Sequence, residues 1–230
     1  MNDYLVETLK DLLNDEENTY TQVLAEAEDQ ENDVDIDSNV KAGASEMPPA
    51  GHKFVYVFCV NSKDLAGEVI VKVTRKVFNK SAAAAHVALS FDKSLTKMYS
   101  FVVGQNFRVE NLHVTYKPDA TFSLYKIAVP NDVYTAMQDA VKNIEQTRDQ
   151  YTYNLRGIAG FFFKKHQDKF NTKEKALFCS QFVARMFATA GMPVFAKEDY
   201  KVQPYEFAKN KKFKFCYRGK VKHFQPSRVR

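Results

Sequence analysis

Fourteen Asp and Glu residues stand against two lysines, Lys10 and Lys41, in residues 1–50 of this chain, a net charge of −12. Residues 51–230 hold 31 Lys and Arg against 14 Asp and Glu, a net charge of +17, so the overall +5 describes neither part. Unpaired carboxylates are costly to bury, so the acidic stretch cannot share a core with the rest. The chain therefore reads as an extension, 1–50, and a basic body, 51–230, with the boundary near Ala50. Within the extension, Leu5, Leu9, Leu12 and Leu13 alternate with Asp3, Glu7 and Asp11 at helical spacing, which predicts a short amphipathic helix over 1–13. A weaker helical pattern covers 20–28. Residues 29–50 are acidic and then meet Gly43, Ser45, Pro48 and Pro49, the composition of a partly disordered linker.

The body has the apolar and aromatic content to bury a core. Residues 54–60 are a continuous apolar run, the signature of a strand covered on both faces. Residues 69–77 alternate, as a half-buried strand does. Further strands are predicted at 86–91, 97–103, 112–116 and 122–129. Asn131 is expected to cap a helix carrying Val133, Met137, Val141 and Ile144 on one face. A second helix is predicted over 154–166, with Gly157 and Gly160 in it, and a third over 178–190, stopped by Gly191-Met192-Pro193. Residues 213–224 alternate aromatic and basic side chains and read as a late strand. The fold class expected is α+β, a mostly antiparallel sheet packed on helices behind an acidic N-terminal extension.

Cys59, Cys179 and Cys216 are too few, and odd in number, for a disulfide framework. The acidic start has neither the basic nor the apolar region of a signal peptide, and no run reaches the roughly 18 apolar residues of a membrane span. The expected location is cytoplasmic. His52, His113, His166 and His223 have no metal-ligand spacing with one another or with the cysteines, so no metal and no cofactor is expected. Gly157 and Gly160 lack the ending of a phosphate loop and are read as packing residues.

Two residues suit nucleophilic chemistry. Cys179, in Phe178-Cys-Ser-Gln-Phe-Val183, opens a predicted helix, where unpaired N–H groups and the helix dipole favour a thiolate. His86, behind a run of four alanines, starts a predicted core strand and can serve a thiol as general base. Each also has a plain structural reading, a gap-filling cysteine and a satisfied strand histidine. Three motifs in this order and spacing resemble the circularly permuted papain-like amidases of the NlpC-like superfamily, which also holds the lecithin–retinol acyltransferases. They are His86-Val-Ala-Leu-Ser with the Met98-Tyr-Ser-Phe101 strand, the Tyr151-x-Tyr153-Asn154 segment, and Cys179-Ser-Gln-Phe-Val183.

The resemblance covers roughly 84–224. It implies a permuted papain-like fold with Cys179 as nucleophile and His86 as base of an acyl transfer. It also implies a polar residue on the strand after the histidine to orient the ring, where Ser100 is the matching candidate. Tyr99, on the opposite face of that strand, Gln181 and Tyr153 are the candidate substrate contacts. The substrates implied are peptide or lipid acyl groups held by amide, isopeptide or ester bonds.

A different kind of function also fits the sequence. Residues 201–230 hold ten Lys and Arg against Glu206 alone, interleaved with Phe213, Phe215, Tyr217 and Phe224. Such a surface can bind a nucleic acid or another polyanion, or it can be an edge strand kept soluble by lysine. The acidic extension reads as a solvating tail, as an arm masking the basic body, or as a removable tag. Leu24-Ala-Glu26, Ala44-Ser-Glu46 and Leu5-Val-Glu7 resemble the Glu-ending sites cut by the prohead proteases of large tailed phages. The alternative expectation is therefore a non-catalytic protein that keeps the fold and either binds polyanions or is packaged in a phage particle.

Overall fold

A computed structural model describes residues 46–60, 86–102, 104–154, 157–158 and 174–229. The helices expected over 1–13 and 20–28, the strand over 69–77, and most of the helix over 154–166 lie outside the described residues.

Strand β1 (His52–Val60) starts two residues after Ala50. It is followed by β2 (His86–Ser90), β3 (Met98–Val102), β4 (Asn106–Glu110), a one-turn helix α1 (Leu112–Thr115) and β5 (Thr121–Pro130). Helix α2 (Asn131–Gln146) comes next, then the short strands β6 (Thr152–Tyr153) and β7 (Ala176–Leu177), helix α3 (Cys179–Thr189), helix α4 (Glu206–Lys209) and β8 (Lys214–Lys220). Six strands form one sheet in the order β4-β3-β2-β1-β5-β8, every neighbouring pair antiparallel. β6 and β7 pair in parallel as a separate two-stranded sheet. The fold is α+β with a mostly antiparallel sheet. Among the described residues, no helix is long and apolar enough to cross a membrane.

The apolar run of β1 explains its central place. Val55 to Val60 are all buried because the sheet is covered on both faces. On one face Val55, Val57, Cys59, Val87, Leu89 and Phe101 pack under Met137, Val141 and Ile144 of α2 and Phe182, Val183 and Met186 of α3. On the other face Tyr56, Phe58, Ala88 and Met98 pack under Leu112, Tyr116, Val221 and Phe224. β8 is the edge strand beside β5, and its cations are partly matched within the chain. Lys214 pairs with Glu46, and Lys220 with Asp119, which also takes Lys222 just beyond the strand.

Two local expectations are corrected. The segment expected as a strand over 112–116 forms helix α1 (Leu112–Thr115) with Tyr116 at its end, because Asn111 caps it by accepting a hydrogen bond from the His113 N–H at 3.1 Å. Leu112 and Tyr116 are buried four residues apart, a helical spacing, while Val114 is exposed. Asn131 is the first residue of α2 and not its cap. Pro130, the end of β5, holds the cap position, and the Asn131 N–H donates to the Gly51 carbonyl at 3.0 Å. Helix α3 ends as the sequence suggests. Gly191 takes φ +78°, and the Gly191 and Met192 N–H groups close on the Ala188 and Phe187 carbonyls at 3.0 and 2.9 Å.

Candidate active site

Cys179 is the first residue of α3. Phe178 before it is extended and gives no side-chain cap, and the first turn carries no acid. The early N–H groups of such a helix have no intrahelical partner, and the thiol stands at the end of the helix where they lie. His86, the first residue of β2, lies within hydrogen-bonding reach of the Cys179 thiol. Its Nε2 bonds Glu110 Oε1 at 3.3 Å. Glu110 ends β4, two strands over from β2. Ser100, on the intervening β3, donates to the same Oε1, and Tyr116 donates to Oε2. Cys179, His86 and Glu110 are 4%, 5% and 2% exposed.

Burial sets the electrostatics. It pushes the imidazolium down, but the Glu110 charge and the hydrogen bonds with Cys179 and Glu110 outweigh it and carry His86 up to about 10. Burial pushes the Glu110 carboxyl up, but the His86 charge and the hydrogen bonds from His86, Ser100 and Tyr116 bring it down to about 2. Burial first, and then the Glu110 charge, hold the Tyr116 phenol well above its ordinary value, so it remains a donor to the carboxylate. The result is a buried imidazolium–carboxylate pair within hydrogen-bonding reach of the Cys179 thiol. The other two thiols differ. Cys59 and Cys216 are core residues, and burial raises both, Cys216 to about 12.

Ser100, the sequence candidate for orienting the ring, reaches His86 only through Glu110, which sequence reasoning did not single out. The same holds for Tyr116. Tyr153 is half-buried and close enough to Cys179 that the thiol's charge, after burial, raises its phenol. Tyr99 sits on the helix-covered face between Phe91 and Phe107, with ring centroids 6.0 and 6.3 Å away. Gln181 is fully buried in the packing of α3. Its amide joins Asn154 Nδ2 at 3.4 Å and Asp199 Oδ1 at 3.2 Å. Arg185 then clamps Asp199 through Nε at 2.6 Å and the Glu174 carbonyl through Nη1 at 2.7 Å. Ser180 Oγ donates to the Val202 carbonyl at 2.6 Å. These bonds fix the axial position and rotation of α3 and hence of Cys179.

Gly157 belongs to the same support. Its N–H donates to Asn154 Oδ1 at 2.8 Å. A Cβ there would meet Asn154 Nδ2 at 2.4 Å and a Phe178 ring carbon at 3.0 Å. Gly157→Ala is therefore expected to displace the Asn154 amide and cost about 1–3 kcal/mol, read as a lower urea midpoint with an unchanged slope. An unchanged midpoint would show that Asn154 can move freely. Among the described residues, no group of His, Cys, Asp and Glu is arranged to hold a metal ion.

Comparison with family models, with curated proteins and with solved structures returns no match to this chain.

Proposed function

We propose that this protein is a cysteine hydrolase or acyltransferase of the permuted papain-like kind, acting on an amide, isopeptide or ester bond of a peptide or lipid acyl substrate. The observation that carries this reading is the buried line Glu110–His86–Cys179 ending at the first residue of α3. Nucleophile, base and orienting carboxylate each meet the next, which is the arrangement nucleophilic catalysis needs.

The proposed cycle starts from a Cys179 thiolate beside the His86 imidazolium. The thiolate sulfur attacks the substrate carbonyl carbon. The oxyanion that forms takes hydrogen bonds from N–H groups at the start of α3. His86 gives its proton to the leaving amine or alcohol, the C–N or C–O bond breaks, and a thioester on Cys179 remains. Water, or an acceptor nucleophile, then loses a proton to the neutral imidazole and attacks the thioester. The acyl group departs, and the thiolate–imidazolium pair is restored. Throughout, Glu110 keeps the ring oriented and its Nε2 protonated, and the Ser100 and Tyr116 hydroxyls hold Glu110.

Iodoacetamide labelling across pH 5–9 tests this. Cys179 is expected to react fastest, Cys59 and Cys216 to stay silent, and His86→Ala to slow Cys179 at neutral pH by at least about tenfold, the effect of one pKa unit on the thiolate population. Cys179→Ser should leave no fast site. Equal, slow labelling of all three thiols, unaltered in His86→Ala, would sink the reading.

A further inference from the structure

Lys126 of β5 is a buried cation on the sheet face away from α2 and α3, its side chain 3% exposed. Its Nζ stands 4.3 Å from the centroid of the Phe54 ring. Directly across the ladder, on β8, is a second lysine, Lys214. Like charges facing each other on neighbouring strands destabilise a sheet, and a buried ammonium needs a partner. One carboxylate meets both needs. Glu46 Oε2 lies 3.3 Å from Lys126 Nζ, and Glu46 Oε1 accepts from Lys214 Nζ at 2.9 Å. Among the described residues, Glu46 is the carboxylate within ion-pair distance of Lys126.

Among the described residues, the two lysines are the side chains that hold Glu46. It is half exposed, and its neighbour Met47 is exposed. The hydrogen bonds from Lys214 and Lys126, followed by their charges, keep its carboxyl below the ordinary value. The lysines and the ring belong to the sheet, whereas the carboxylate arrives from the last residues of the acidic extension. The arrangement has the form of a receptor and a ligand rather than of two packed elements.

We propose that Phe54, Lys126 and Lys214 form a carboxylate-binding site that Glu46 fills from within the chain, pinning the end of the acidic extension to the basic body. The site takes a carboxylate between two ammonium groups over an aromatic floor. With Glu46 withdrawn, it accepts a carboxylate from another source, the side chain of an acidic peptide being the class it fits.

The test uses the full-length chain and acetate as the probe carboxylate, with chloride at matched ionic strength as the control. Glu46→Gln is expected to lower Tm by about 2–4 °C, the shift produced by a modest loss in a chain of this size. Acetate should restore much of that shift along a saturable curve, while leaving wild type unmoved. Glu46→Gln combined with Lys214→Gln should lose the acetate response; it removes one charge of each sign and leaves Lys126 and Phe54 unsubstituted, and a cooperative melt of this variant is the check that it folds. Two results would overturn the proposal: a Glu46→Gln protein that melts with wild type, or acetate acting equally on all three proteins.

Discussion

Glu110→Gln is expected to slow alkylation of Cys179 near pH 7 by about tenfold or more, the effect of at least one pKa unit on the imidazolium, while the protein still folds. The carboxylate is the group that makes a buried imidazolium tolerable: burial alone pushes His86 down, and the Glu110 charge reverses that. Gln keeps the shape and one acceptor oxygen, so Ser100 or Tyr116 retains a partner, but it removes the charge. The ring then loses its proton at neutral pH, and the thiol loses the cation beside it. Breaking a buried charge pair by removing one partner costs about 3–5 kcal/mol, within the 5–15 kcal/mol typical of a folded domain. Urea unfolding should therefore show a cooperative transition at a lower midpoint. Alkylation at the wild-type rate would mean that Glu110 does not govern the pair. Tyr116→Phe offers a finer step, since it removes one of three donors to the carboxylate and leaves the charge in place. Its rate should fall between those of wild type and Glu110→Gln.

The parts of this arrangement differ in how plainly the sequence announces them. The run Phe54-Val-Tyr-Val-Phe-Cys-Val60 reads as a strand covered on both sides, and β1 lies inside the sheet with neighbours on both edges. The start of α3 at Cys179 follows from the amphipathic spacing of Phe182, Val183 and Met186, and its end from Gly191. Glu110 was hidden by its own neighbourhood. In Asn106-Phe-Arg-Val-Glu110, alternation puts Phe107 and Val109 on one face and Glu110 on the other, which reads as solvent. In the fold alternation holds, but the second face is covered too: Phe107 packs with Phe101 under the helices, while Glu110 pairs with Met98 on the face covered by Leu112 and Tyr116. No local rule predicts that cover, because what surrounds Glu110 is non-local: His86 from β2, Ser100 from β3 and Tyr116 beyond α1. Ser100 was legible by parity on β3, but a hydroxyl there supports a carboxylate that only the sheet order brings near. The sequence itself shows only an acid at the end of a short alternating segment, with Asn111 after it.

The same pair sets how stability should depend on pH, and the sign separates its two members. Glu110 is lowered from 4.5 to about 2, so its contribution is complete above pH 4.5 and is lost as pH falls from there through about 2. His86 is raised from 6.5 to about 10, so its contribution is complete below pH 6.5 and is lost as pH rises through about 10. Wild type is therefore expected to be most stable between about pH 4.5 and 6.5, where both are in place. Buried Tyr56, Tyr116 and Cys216, all raised, add their own losses only above pH 9, beyond their ordinary values of 10, 10 and 9 or just at them. The interval from pH 6.5 to 9 thus belongs to His86. Urea midpoints there should decline steadily in wild type. In Glu110→Gln the slope should reverse over pH 5–7, because a buried histidine without its carboxylate is pushed down by desolvation and folds more readily as the solution gives up protons. A midpoint that falls with pH in both proteins would place the imidazolium's support somewhere other than Glu110. A flat profile in wild type would mean that His86 is neutral in the fold.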